Sequence, residues 1–156
     1  MARVSARAHI APRLRSADAA DFPFCEALSR DNMRAYLVSR GIEWSPERFR
    51  ASWREFENFV IEVDGKPVGL LRLTPEDEAL GLRDLQILPG QQCRGIGAWA
   101  MREALSLATE RGFHRVQLRV YEENPARAWY ARLGFAVDSC SAGKLRMSRP
   151  LLPRER

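Results

Sequence analysis

Strand-like and helix-like stretches alternate along these 156 residues in an order that predicts one α/β domain of the α+β type. Three observations carry that prediction. Residues 59–63 and 68–73 are β-rich runs that flank Asp64-Gly65, a strong hairpin signal. Ile96, Trp99, Ala100, Ala104, Leu107 and Ala108 recur at helical spacing, which gives a helix with one face to pack on a sheet. A hydrophobic content of 46% over this length suits one core rather than two, so residues 1–156 are expected to form a single domain.

The elements follow in chain order. Residues 10–14 read as a first strand, with His9 at its start. Ser16, Asp18 and Asp21 are start signals for a helix through Cys25 and Leu28. Asp31 can cap a second, short helix carrying Met33, Tyr36 and Leu37, which Gly41 would end. Ser45-Pro46-Glu47 is an N-cap, a first-turn proline and a favourable acid, and opens a helix with Phe49 and Trp53. The hairpin supplies strands two and three. Pro75-Glu76-Asp77-Glu78 supplies a turn before a fourth strand from about residue 82 to 88. Gly112 is placed as the C-cap of the long helix, and Val116, Leu118 and Val120 alternate as a fifth strand. Asn124-Pro125 can start the next helix and Gly134 can end it, before a closing antiparallel pair over residues 135–147.

Charge is unevenly placed. The net charge is +5, yet residues 1–15 carry +4 from Arg3, Arg7, Arg13 and Arg15, and residues 144–156 carry another +4, so the segment between them is −3. A nucleic-acid-binding face needs cations on the folded body, so basic, solvated ends near residues 1–8 and 150–156 are the preferred reading, with no nucleic-acid partner. Cys25, Cys93 and Cys140 form no Cys-x-x-Cys spacing and His9 and His114 stand far apart, which gives no disulfide framework and no metal site. Ser5, Arg3 and Arg7 share features with a mitochondrial leader, but Pro12 interrupts any amphipathic helix there. No apolar stretch is long enough for a membrane span, and the expected location is the cytoplasm.

The most informative segment is Gln92-Cys93-Arg94-Gly95-Ile96-Gly97, which follows an apolar run ending in Pro89 and opens the long helix. Gly95 and Gly97 lack a Cβ, so successive backbone N–H groups can turn toward an anion while the helix dipole adds partial positive charge. A pyrophosphate suits such a cradle, held on the amides from Cys93 to Ala98.

That loop has company. Leu85-Gln86-Ile87-Leu88-Pro89, the Gln-x-x-Gly-x-Gly loop, and the run from Asn124-Pro125-Ala126-Arg127 through Tyr130 to Leu133-Gly134-Phe135 together resemble the GNAT superfamily of N-acetyltransferases, over about residues 57 to 137. The resemblance implies a mixed, mostly antiparallel sheet flanked by helices, with parallel fourth and fifth strands that splay apart. It implies acetyl-coenzyme A as cosubstrate and no metal. The coenzyme would lie along the backbone of Ile87 and Leu88, on the loop residues Gln92, Cys93, Arg94, Gly95, Ile96, Gly97 and Ala98, and against Asn124 and Tyr130. Direct transfer to the primary amine of a small molecule or peptide follows from the same resemblance.

Each chemical step asks for a group. An alkyl amine with a pKa of ~10.4 is mostly protonated at pH 7, a penalty of ~4.6 kcal/mol unless a base takes the proton. A backbone N–H near Ile87 or Leu88 can serve the developing oxyanion, an effect of ~3 to 4 kcal/mol in other enzymes. Tyr130, at the position where the family keeps a tyrosine near the sulfur, is the candidate proton donor to the leaving thiolate. Asp84 on the fourth strand is the best-placed candidate base; Glu122 and Glu123 are weaker, and a water relay is an equal alternative. A covalent route through Cys93 is disfavoured because no histidine is placed beside it. Met33, Tyr36, Trp44 and Trp53 either line the acceptor pocket or belong to the core, and Arg34 either holds an acceptor carboxylate or faces solvent. Competing functions are a non-catalytic acyl-coenzyme A sensor, suggested by the lack of an obvious base, and a nucleic-acid module using the basic ends. A homodimer is left open.

Overall fold

A computed structural model of the chain describes residues 11–152. Seven strands form one sheet in the order β1-β2-β3-β4-β5-β7-β6. They are β1 (Arg13–Ser16), β2 (Glu57–Val63), β3 (Lys66–Glu76), β4 (Ala79–Ile87), β5 (Arg115–Tyr121), β6 (Ala136–Ser141) and β7 (Lys144–Pro150). Every neighbouring pair is antiparallel except β4 and β5, which run parallel. The helices are α1 (Phe22–Ser39), α2 (Pro46–Glu55), α3 (Ile96–Glu110) and α4 (Ala126–Arg132). This is the mixed, mostly antiparallel architecture expected.

The helices cover the two faces of the sheet with separate cores. On one face, α3 and α4 bury Leu71, Leu73, Leu80, Val116 and Leu118 together with Ile96, Met101 and Phe135. On the other, α1 and α2 close over Cys25, Leu28, Phe49, Val60 and Leu70, with Phe22, Trp44 and Trp53 packed against them. Trp44 and Trp53 therefore belong to a core, where they contact Phe49, rather than to an acceptor pocket.

Several boundaries differ from the sequence reading, each for a local reason. One helix, α1, replaces the two expected, because Asp31 pairs with Arg30 and Arg34 instead of capping. The capping box falls earlier, between Asp18 and Asp21 at the 3-10 turn Ala19–Asp21. Gly41, at φ +66, does end the helix: its N–H donates to the Val38 carbonyl and the Ile42 N–H to that of Leu37. The turn expected at residues 75–78 shrinks to Asp77 and Glu78, because Pro75 and Glu76 continue β3 opposite Leu80 and Ala79.

Several of the basic residues inward of the two ends belong to strands. Arg13 and Arg15 sit on β1, and Lys144, Arg146 and Arg149 on β7. Arg15 is paired with Asp21 at 2.8 Å and Glu62 at 3.3 Å. Pro150 closes β7, and the Leu151 N–H donates to the His114 carbonyl at 2.9 Å. His9, Ile10, residues 1–8 and residues 153–156 lie outside the described residues. Among the described residues no helix is long and apolar enough to cross a membrane.

One irregularity governs the site. The β3–β4 register pairs Arg72 with Asp84 but Leu73 with Leu82, so Arg83 is an extra, bulged residue on β4.

Candidate active site

Parallel pairing of β4 with β5 runs only from Ala79↔Arg115 to Leu82↔Leu118; beyond it the strands diverge and leave backbone groups of β4 without ladder partners. Which groups these are follows from the antiparallel alternation on the other side. The Leu88 N–H donates to the Val68 carbonyl at 2.8 Å, so Ile87 and Leu85, one and three residues back on β4, aim their backbone groups away from β3 and into the gap. The Ile87 N–H thus faces the gap. The Leu88 N–H does not, because β3 already uses it.

The glycine loop closes one end of the gap. After a 3-10 turn at Pro89–Gln91, the chain passes through left-handed conformations at Cys93 (φ +62) and Gly95 (φ +80) before α3 begins at Ile96. Gly95 provides no side-chain cap, and the first helical bond, from the Trp99 N–H to the Gly95 carbonyl, leaves the amides of Ile96, Gly97 and Ala98 unpaired within the helix. A Cβ at Gly95 would enter open space, whereas one at Gly97 would meet the Trp129 ring at 3.7 Å. The left-handed conformation that favours glycine thus lies at Gly95, whereas a Cβ at Gly97 would make only an ordinary contact. The Gln92 side chain donates to the Ile87 carbonyl at 3.1 Å, and Arg94 donates to Gln91 at 2.6 Å, so these two residues brace the loop. Cys93 is exposed.

Two cavities meet across β4. The larger, about 620 Å³, runs from Cys93, Gly95 and Ala98 past Trp129 to Tyr130. The smaller, about 260 Å³, lies between Met33, Arg83, Asp84, Arg119, Tyr121 and Lys144. Leu85, Gln86 and Tyr130 line both. Tyr130 is fixed there by α4, whose end is set by Gly134 at φ +93 and by the Phe135 N–H donating to the Tyr130 carbonyl. Its ring is packed between Trp129 and Phe135. Burial, with a smaller contribution from the Asp84 charge, pushes its hydroxyl up to about 12.

Asp84 lines the smaller cavity and is held from the α1 side. Its carboxylate accepts hydrogen bonds from Ser29 at 2.9 Å and Gln86 at 2.8 Å and lies 3.7 Å from the Arg72 guanidinium. Burial pushes its carboxyl above the ordinary carboxylate range, against the opposing pull of Gln86, Arg72 and Ser29. Asn32 completes the network, donating to Gln86 at 3.1 Å and to the Ile87 carbonyl at 3.0 Å. Buried Arg72 is held in turn by Asn58 and Ser52, with its guanidinium 4.4 Å from the centre of the Phe49 ring.

Other sequence candidates are placed elsewhere. Asn124 accepts the Ala126 N–H at 2.9 Å, which ties it to the first amide of α4 just before the N-cap Pro125, and it lines the smaller cavity rather than the larger. Glu123 is taken by Arg40 at 2.7 Å, and Glu122 accepts from the Cys140 thiol. Met33 lines the smaller cavity, whereas Arg34 is exposed and paired with Asp31. The sequence reading missed Ser29, Asn32, Arg72, Arg83, Arg119 and Lys144. Their roles depend on contacts distant along the chain, for which hydrophobic periodicity carries no signal.

Known proteins are similar to this chain in sequence and in fold. The chain is 35% identical over 97 residues to an uncharacterized N-acetyltransferase of Methanocaldococcus jannaschii, covering 57% of this chain and 43% of the relative. It is 39% identical over 79 residues to streptothricin acetyltransferase of Streptomyces lavendulae, covering 49% and 42%. It therefore spans less than half the length of these curated relatives. The crystal structure of PaiA N-acetyltransferase from Thermoplasma acidophilum in complex with coenzyme A superposes with a TM-score of 0.73 at 16% identity, covering 90% of this chain and 99% of that one, which shows the common fold. The model of the acetyltransferase (GNAT) family matches residues 25–135, and the chain belongs to that family.

Proposed function

We propose that this protein is an N-acetyltransferase that transfers acetyl from acetyl-coenzyme A directly to a primary amine of a small molecule or peptide. The observation that carries the reading is the meeting of the two cavities at Leu85, Gln86 and Tyr130, one leading to the glycine loop and the other to Asp84. The loop fits a pyrophosphate, because the amides of Ile96, Gly97 and Ala98 are uncapped and the space at Gly95 is open. Leu85, through both its backbone groups, and Ile87, through its N–H, offer a thin, extended arm the partners that β5 leaves unused, the Ile87 carbonyl being taken by Gln92 and Asn32. The coenzyme complex of the PaiA structure supports the same assignment.

When bound, the coenzyme supplies an activated thioester; the chain supplies the rest. Asp84, its carboxyl raised by burial, takes the ammonium proton, which exposes the lone pair that forms the new N–C bond. The Ile87 N–H stabilises the oxygen as it becomes negative. Tyr130, still protonated at neutral pH, gives its proton to the sulfur as the C–S bond breaks, and the second proton of the newly acylated nitrogen restores the Tyr130 hydroxyl while Asp84 releases the first to solvent. Asn124 orients α4 and contributes a polar wall on the acceptor side. A cytoplasmic setting, with the chain acting alone or as a homodimer, goes with this reading.

The absence of an obvious base, which favoured a non-catalytic sensor, weighs less because Asp84 lines the same cavity as Tyr130. Calorimetric titration with acetyl-coenzyme A, followed by a mass-spectrometric screen of amines with the labelled coenzyme, tests the proposal. Binding with acetylated product is the expected result. Binding without product from any amine would make the protein a sensor, and no binding would refute the site.

A further inference from the structure

The acceptor cavity carries more positive charge than an amine-binding site has use for. On the α1 side of the sheet, α1 packs over β3 and β4 and α2 over β2. Past them, Arg119, Lys144 and Arg146 are exposed on β5 and β7. The β5–β7 register sets Arg119 directly opposite Arg146, a like-charge pair that costs the sheet stability. Arg83 enters the same space because the β4 bulge displaces it from the ladder. A fold does not need these cations here.

Acidic partners account for some of them. Glu76 binds Arg83 at 2.8 Å and Arg119 at 3.3 Å, Asp138 lies 3.9 Å from Arg146, and Glu123 holds Arg40. Lys144 has no carboxylate within pairing distance among the described residues; its ammonium stands 5.1 Å from the centre of the Tyr121 ring, which Arg40 also covers at 4.1 Å. Burial first, and then Arg119, Arg83 and Arg40, lower the pKa of Lys144, the mark of a site whose local potential is positive without a ligand. One shared glutamate leaves Arg83 and Arg119 with an excess charge, and Lys144 adds another.

We infer that the acceptor is a small primary amine that also bears a carboxylate, seated with its amine toward Asp84 and its carboxylate toward Lys144 and Arg119. This rests on the acetyltransferase reading and narrows its substrate class. The cavity of about 260 Å³ suits a free amino acid or the terminal residue of a short peptide. A polyamine would bring a second cation against Arg119 and Lys144, and like-charge contact is how a site rejects a wrong partner.

The test uses matched probes: alanine, aspartate, glutamate and phenylalanine, the four α-carboxamides, and putrescine. Binding is measured by calorimetry with coenzyme A present, and turnover by thiol release from acetyl-coenzyme A. At least one carboxylate is expected to bind tenfold or more tightly than its amide, with putrescine weakest. Lys144→Met and Arg119→Gln, both at exposed positions, should each cut that ratio at least fivefold while the melting temperature confirms folding. No preference in any pair, a preference for the amides or putrescine, or a ratio that survives both substitutions would overturn the inference. Carboxylate-selective binding without turnover would instead fail the transferase reading alone, and turnover without carboxylate selectivity would fail this inference alone.

Discussion

Asp84→Asn separates chemistry from folding more cleanly than any other change at the site. The amide is isosteric and finds partners: its oxygen can accept from Gln86, and its NH2 can donate to the Ser29 hydroxyl, which reverses its role without moving. Gln86 stays held by Asn32, so the wall shared by the two cavities should keep its shape. An unassisted amine faces ~4.6 kcal/mol at pH 7, and positioned bases contribute ~10² to 10⁴-fold, so kcat/KM should fall at least ~100-fold. The pH profile gives a second measure. Because the folded carboxyl lies above its ordinary value, wild-type activity should decline as pH falls through a range higher than that of a free carboxylate, and the variant should lose that limb. Stability should move the other way. A carboxyl with a raised folded pKa adds stability only below the window between its unfolded and folded values and loses it as pH rises, so at pH 7 the variant should unfold at a denaturant concentration no lower than wild type. The assays are steady-state kinetics across pH with any accepted amine, and urea unfolding. A loss of less than about threefold in kcat/KM, with coenzyme binding intact, would refute Asp84 as base and point to water.

Three other predictions follow from features of the same fold. Gly95→Leu forces a branched side chain into a left-handed conformation and into the open space above the loop, so calorimetric affinity for acetyl-coenzyme A should drop by ~100-fold or more; unchanged affinity in a folded protein would remove the loop from the site. Tyr130→Phe retains packing between Trp129 and Phe135 but deletes the proton donor, and should lower kcat by ~10² to 10⁴-fold, nearer the lower figure, with coenzyme affinity held. Full turnover with chemistry shown to be rate-limiting would return it to a packing role. Asp21 is held down at about 2, chiefly by its hydrogen bond from Arg15, so the stability it contributes is present above about pH 4 and is lost as pH falls from there toward 2. Arg15→Met should flatten that part of a denaturation-versus-pH curve, and an unchanged slope would show that the pair does not anchor β1 to the start of α1.

Local signals survived folding; distant ones had to be found in space. Asp64-Gly65 made the β2–β3 hairpin because both residues take positive φ, which the dipeptide tolerates. Gly41 and Gly134 ended helices for the same conformational reason, and the Gln92–Gly97 loop opened α3 as expected. Asp31 misled because an aspartate looks the same to a cap rule whether it meets a backbone amide or, as here, Arg30 and Arg34. Leu88 misled because the direction of its N–H depends on strand pairing rather than on its side chain. Asp84 could be nominated, but its setting could not: Ser29 stands 55 residues away in sequence, and Arg72 meets it only through the β3–β4 register.

The bulge at Arg83 gives the fourth strand two phases. Before it, Leu80 and Leu82 point toward α3; after it, Asp84 and Gln86 point toward α1, while Leu85 and Ile87 take over the α3 side. If Arg83 instead took a regular place in the ladder, the alternation would run on by residue number, Asp84 would be driven into the apolar core, and Leu85 and Ile87 would turn into the acceptor cavity. Their amides would turn with them, spending on β3 the donors that now face the gap. The polar network and the free backbone edge are therefore indexed to each other by a single insertion, so neither can be gained or lost alone. The conformation of this strand at Arg83 is as much a part of the chemistry as the residues on it, and an evolving or engineered variant can exchange side chains around the cavity far more freely than it can draw Arg83 back into the ladder.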